Sequence, residues 1–116
     1  MSRKIAINVL NNTGEVVLNC NGNSMRPIMS PGESLFIKKV PLSKLRKGDA
    51  VFCKVNGGLQ VHKINAIDDS REHERFQISN NFGKINSWIG FNNIFGLCVK
   101  VEDRVLVSDD ELSKRD

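Results

Sequence analysis

A serine and a histidine carry the chemistry this sequence offers. Ser24 lies in the stretch Gly22-Asn23-Ser24-Met25-Arg26-Pro27, and His62 in Val61-His62-Lys63-Ile64. A serine hydroxyl is a weak nucleophile at neutral pH and needs a base within hydrogen-bond reach to take its proton. An imidazole suits that task because its ordinary pKa of about 6.5 lies near working pH. Strand alternation places His62, Ile64 and Ala66 on one face and Val61 and Lys63 on the other. His62, rather than Lys63, is therefore the candidate base. An apolar neighbourhood would hold its ring in the neutral, proton-accepting form. The backbone N–H of Ser24 is the natural first donor to an oxyanion formed by attack on a carbonyl. Asn80 offers an amide oxygen that can orient the imidazole, though no negative charge to stabilise its protonated form. Gly22, Asn23 and Met25 flank the nucleophile and are the candidate substrate contacts.

Other reactive residue types read as structure. Cys20, Cys53 and Cys98 are widely spaced with no C-x-x-C pair, so buried, reduced thiols are expected rather than a metal or redox site. His73, between Glu72 and Glu74, reads as a solvated loop residue. Asp49 follows Gly48 and is expected to close a turn. Phe82, Trp88, Phe91 and Phe95 read as core or rim.

The elements that must position Ser24 and His62 are mostly short strands. Residues 15–20 are rich in β-branched side chains and lead into the Ser24 turn. Gly22 and Asn23 tolerate unusual backbone geometry there, and Pro27 fixes the exit. Further strands are expected at 34–40, 50–55, 59–67, 75–79 and 94–101, with a last one at 104–107. Asn56-Gly57-Gly58 is the clearest hairpin signal and pairs 50–55 with 59–67. Gly96 marks a bulge or a close-packing point. Residues 4–10 are too few to separate a strand from a helix by period, and 11–14 form a turn signal. Residues 42–47 read as a short helical turn or loop, 68–74 as a charged loop, and 80–88 as a loop crossing the site. The expectation is one mainly β domain over 1–107, antiparallel-rich and coiled, with a frayed charged tail over 108–116.

Taken in order, the Ser-Met-x-Pro box, Pro31-Gly32-Glu33, Gly48-Asp49-Ala50-Val51 and Val61-His62-Lys63-Ile64 resemble the serine peptidase family of type I signal peptidases and LexA-like self-cleaving repressors. The resemblance runs from about Val16 to Val101. It implies a coiled antiparallel β-fold, allows the first segment to be a helix, and implies peptide-bond hydrolysis through an acyl-enzyme on Ser24. Bacterial members use a lysine base. The position here is His62, as in the endoplasmic-reticulum and archaeal type, where a His-Arg pair stands in place of His62-Lys63. Those enzymes also carry a supporting Asp, and its position is matched by Asn80. A neutral amide there implies slower chemistry. A hydroxyl two residues before the nucleophile assists the bacterial enzymes, and here that position is Gly22.

Composition narrows the rest. At 116 residues, with 40% hydrophobic and 26% charged residues, the chain suits one globular domain. The net charge of +4 is scattered, and there is no Tyr, so no nucleic-acid partner is expected. No apolar run approaches the roughly 18 residues a spanning helix needs, and residues 5–10 are too short for a signal-peptide core. A cytoplasmic protein without cofactor or metal is expected, its partner a protein or precursor peptide bound as an extended strand. With no helix-turn-helix region ahead of the domain, cleavage of another chain is expected over self-cleavage. The alternative is a weak or inactive module that keeps the groove and binds an extended peptide or partner protein. No oligomeric state follows from the sequence.

Overall fold

The computed structural model describes residues 2–68 and 75–115. His73 and most of the expected charged loop lie outside the described residues. The undecided first segment is a helix, α1, Arg3–Thr13. The Ser2 hydroxyl accepts from the Ile5 N–H at 3.2 Å and caps its start. Gly14, at φ 85°, closes its end by donating to the Leu10 carbonyl at 2.8 Å. The turn expected at 11–14 thus shrinks to Gly14, because the helix runs through Thr13. Ala6 and Leu10, one turn apart, are its fully buried residues.

Among the described residues, eight strands form one antiparallel sheet: β1 Glu15–Asn19, β2 Ser34–Lys38, β3 Ala50–Val55, β4 Gly58–Asp68, β5 Arg75–Ser79, β6 Ile85–Gly90, β7 Ile94–Val101 and β8 Arg104–Val105. The spatial order is β1-β2-β7-β3-β4-β5-β6, with β8 beside β7. The mainly β, antiparallel expectation is met. Register shifts interrupt the ladders at Phe36/Ile37, Phe52/Cys53, Ile64/Ala66 and Ile78/Ser79. Each adds local twist and bends its strand, which coils the sheet. The hairpin at Asn56-Gly57 has φ of 51° and 80°, the two left-handed positions of a tight two-residue turn.

Coiling leaves central strands covered on both faces. Along β3, Ala50 and Phe52 enter one core cluster, while Val51, Cys53 and Val55 enter the other. The first cluster lies beneath α1 and the Ser24 loop and includes Leu18, Met25, Met29, Leu35 and Val61. The second includes Ile64, Phe76, Ile78 and Leu97. Gly96 is the close-packing point expected of it: a Cβ there would meet Ile37 Cγ2 at 2.6 Å and Leu10 Cδ2 at 2.9 Å. That approach seats α1 on the sheet. Phe52 is fully buried and meets Phe95 edge-on at 5.3 Å.

Two segments differ from the sequence reading. Residues 85–90, of which 85–88 were expected within a loop, form β6. Pairing with β5 at Ile85 and from Ser87 to Gly90, with Asn86 skipped at a register shift, overrides the weak strand signal of Asn86-Ser87. The tail expected to fray contains α2, Asp109–Lys114, capped by the Ser108 hydroxyl, which accepts from the Glu111 N–H at 3.0 Å. Three acidic residues in its first turn suit the helix dipole. Leu112 buries into the second cluster, so the packed unit extends past residue 107. No helix among the described residues is long and apolar enough to cross a membrane.

Candidate active site

Ser24 rides on the connection between β1 and β2. Cys20 donates to the Glu33 carbonyl at 2.8 Å and Gly32 to the Cys20 carbonyl at 2.9 Å, closing the base of that connection. Within it, the Arg26 N–H reaches the Asn23 carbonyl, and the Ile28 and Met29 N–H groups reach the Met25 carbonyl. Met25 and Met29 are buried and anchor the loop to the core. On the outside, Glu33 accepts from the Ser30 N–H at 2.7 Å and from both terminal nitrogens of Arg104. The Arg104 hydrogen bond, foremost, holds the Glu33 carboxyl below its ordinary range. The turn between β5 and β6 then clamps the backbone of Ser24 itself. The Asn81 N–H donates to the Ser24 carbonyl at 2.9 Å, and its side-chain amide donates to the Arg26 carbonyl at 2.8 Å.

His62 lies on β4, opposite Val51 of β3, and is 7% exposed. Its Nε2 stands 3.0 Å from Ser24 Oγ. Its Nδ1 stands 2.8 Å from Asn86 Oδ1. An amide oxygen only accepts, so Nδ1 carries the proton and Nε2 presents its lone pair to the serine hydroxyl. Asn86 is set by β6, and its own carbonyl accepts from the Asn56 side chain at 3.3 Å. Burial, the largest influence, pushes the His62 pKa down; the Asn86 hydrogen bond works upward and the Arg3 charge downward. The ring is therefore neutral at pH 7 and competent as a base.

Asn80, expected at this place, does not orient His62. Its Oδ1 accepts from the Phe82 and Lys84 N–H groups, each at 2.9 Å, and closes the β5–β6 turn. The partner of His62 is Asn86, six residues on in chain order. The reason lies in β6: once 85–90 pairs with β5, Asn86 reaches His62 across the sheet while Asn80 is spent on its turn.

Beside Ser24 opens a pocket of about 290 Å³, walled by Cys20, Met25, Met29, Leu35, Leu59, Gln60, Val61 and His62, with Asn21 and Arg3 also lining it. Of the expected substrate contacts, Met25 lines the pocket. Gly22 and Asn23 shape the exposed turn outside it. The Gly58–His62 half of β4 pairs with β3 alone, since pairing with β5 begins at Lys63. That half of β4 offers a strand edge next to the dyad. A larger, more apolar concavity of about 550 Å³, walled by Val16, Phe36, Val99 and Val107 among others, shares no residue with the Ser24 pocket.

The three cysteines are free and buried. Burial pushes Cys53 and Cys98 up to about 12, so neither forms a thiolate at neutral pH. Among the described residues, no group of three or more His, Cys, Asp or Glu is placed to hold a metal ion. Sequence reasoning missed Asn86, Asn81 and Arg3. No local pattern marks the two asparagines, because their roles depend on which strand pairs with which. Comparison of the chain with protein-family models, curated proteins and solved structures gave no match.

Proposed function

We propose that this protein is a serine endopeptidase of the signal-peptidase and LexA type, acting through Ser24 and His62. The observation that carries the reading is the 3.0 Å approach of Ser24 Oγ to His62 Nε2, two groups brought together by separate elements beside an open pocket. Asn86 fixes the tautomer that the step requires.

The substrate lies extended along the free edge of β4. Ser24 Oγ attacks the scissile carbonyl while His62 Nε2 takes its proton. The tetrahedral oxyanion accepts from the Ser24 N–H, which has no acceptor among the described residues. The imidazolium then gives its proton to the leaving amine, and the bond breaks to an acyl-enzyme. Water, deprotonated by the same nitrogen, releases the acyl group and restores Ser24. Asn86 holds the ring throughout but adds no negative charge, so turnover is slower than a carboxylate in its place would give.

Mapping of new protein N-termini tests this. A lysate treated with the wild-type protein should gain N-termini that are missing after treatment with Ser24→Ala. An identical set from both folded variants would overturn the peptidase reading and favour a module that binds extended peptides without cutting them.

A further inference from the structure

We propose that Arg3 makes the Ser24 pocket selective for a peptide carrying a carboxylate within about three residues of the scissile bond. This rests on the peptidase reading and names its substrate class.

Arg3 is the first residue of α1, yet its guanidinium reaches into the site and lines the same pocket as Ser24 and His62. It spans the two sides of the groove. Nη2 donates to the Asn19 carbonyl at the end of β1 at 2.9 Å, and Nη1 to the Leu59 carbonyl on β4 at 3.0 Å. Leu59 belongs to the half of β4 that no second strand covers, and Arg3 already occupies its carbonyl. The cation therefore stands where an added peptide would run.

Its charge is not neutralised. Two N–H groups serve carbonyls, which are dipoles, and among the described residues Arg3 forms no ion pair. No carboxylate lines the pocket. Glu33 is engaged by Arg104 and the Ser30 N–H. The rest of the lining joins thioether, thiol and aliphatic side chains to the neutral polar groups of Asn21, Gln60, Ser24 and His62. Burial disfavours the charged form of Arg3, in keeping with a half-buried cation. An arginine fork with spare donors in a partly dry pocket fits a carboxylate better than any neutral group. In an extended peptide alternate side chains face the pocket, so the acidic residue falls at one fixed position. A role limited to tying α1 to the sheet would use the same two carbonyl bonds but would confer no preference among peptides.

The test incubates a proteome-derived peptide library with the 116-residue wild-type chain, with Ser24→Ala and with Arg3→Gln. Ser24-dependent cuts should show Asp or Glu enriched at one position within three residues of the cut. Matched synthetic peptides differing only as Glu or Gln there should differ by about 10- to 100-fold in kcat/KM with wild type. Arg3→Gln should collapse that ratio, and Arg3→Lys should restore part of it. Cuts confined to the last residues of peptides would assign the carboxylate to the chain terminus instead of a side chain. Ser24-dependent cuts without acidic enrichment, or an enrichment that survives in Arg3→Gln, would overturn the Arg3 assignment and leave the peptidase intact. No Ser24-dependent cut of any peptide would overturn both. Should Arg3→Gln fail to fold, the wild-type Glu/Gln ratio decides alone, and a ratio under about twofold overturns the proposal.

Discussion

The polar clusters around Asp49 and around His62 are both buried, and they are built on opposite plans. Around Asp49, every strong group is answered. Arg115 grips its carboxylate with both terminal nitrogens, at 2.7 and 3.2 Å, and the Arg46 N–H donates to it at 2.8 Å. The same guanidinium reaches Glu111 and the Lys44 carbonyl. Asp49, chiefly through this hydrogen bond, pushes the Arg115 pKa up. Around His62 the hydrogen-bonded groups are neutral, the nearby Arg3 charge has no carboxylate partner among the described residues, and the chain of bonds is open at one end. Asn86, His62 and Ser24 run in line to a hydroxyl at the wall of a pocket, and the Ser24 N–H has no acceptor among the described residues. A closed cluster fixes structure, here docking α2 against the start of β3. An open one keeps bonding capacity for a ligand. The contrast teaches that partner saturation, more than burial, separates a structural cluster from a candidate catalytic one.

The sharpest way to break the comparison is His62→Gln. It should lower Ser24-dependent turnover by about 10³-fold, the usual scale for a general base, with a modest change in unfolding midpoint. Equal losses of activity and stability would show that His62 belongs with Asp49 as a structural group.

Asp49→Ala should behave in the reverse sense. Removing one member of a largely buried pair strands the other, so stability should fall by about 2–3 kcal/mol in urea unfolding. Cleavage by the folded fraction should stay near wild type. Asp49→Asn with Arg115→Gln should cost less than the sum of the two single changes, because the pair is one unit. A large loss of kcat in folded Asp49→Ala would couple the clusters and undo the distinction.

Asn86→Asp sharpens the open cluster itself. A carboxylate at Nδ1 should raise kcat about 10-fold by stabilising the imidazolium, and Asn86→Ala should lower it by a similar factor. The acid limb carries the sign. In wild type the His62 pKa is depressed, so activity should persist as pH falls through 6.5 and be lost only as pH falls through the lower folded value. Asp at 86 should move that limb upward. Stability follows the same group: its contribution is present above the ordinary histidine pKa and is lost as pH falls through the lower folded value. His62→Gln should remove that part of the pH slope of urea unfolding. An acid limb above 6.5 in wild type would contradict a desolvated, neutral ring.

Much of this arrangement was legible in residue order. The strand Ala50–Val55 has the bounds its sequence predicts, because it is β-branched, apolar and followed by Asn-Gly. The approach of Ser24 to His62 was legible through a box order and a strand. What escaped depends on long-range pairing. The period of residues 4–10 cannot choose helix over strand until Gly96 provides a seat for Leu10. The tail reads as solvated until Leu112 and Arg115 find the second core and Asp49. Asn86 reads as loop until β6 docks on β5. Polar residues whose role is set by a distant strand leave no local pattern.

The smallest effect separates the two asparagines that sequence order confuses. Asn80 accepts two backbone N–H bonds in its turn and has none to His62. Asn80→Ala should therefore cost about 1 kcal/mol of stability, as the loss of a turn-capping side chain does. Its pH profile should match wild type, because the His62–Asn86 bond is untouched. A modest drop in rate is expected, since the same turn carries Asn81, whose N–H holds the Ser24 carbonyl. That drop should shrink on cooling or on adding a stabilising osmolyte, as a loosened turn does and a missing orienting group does not. If Asn80→Ala moved the acid limb while Asn86→Ala left it in place, the assignment of the third residue would reverse.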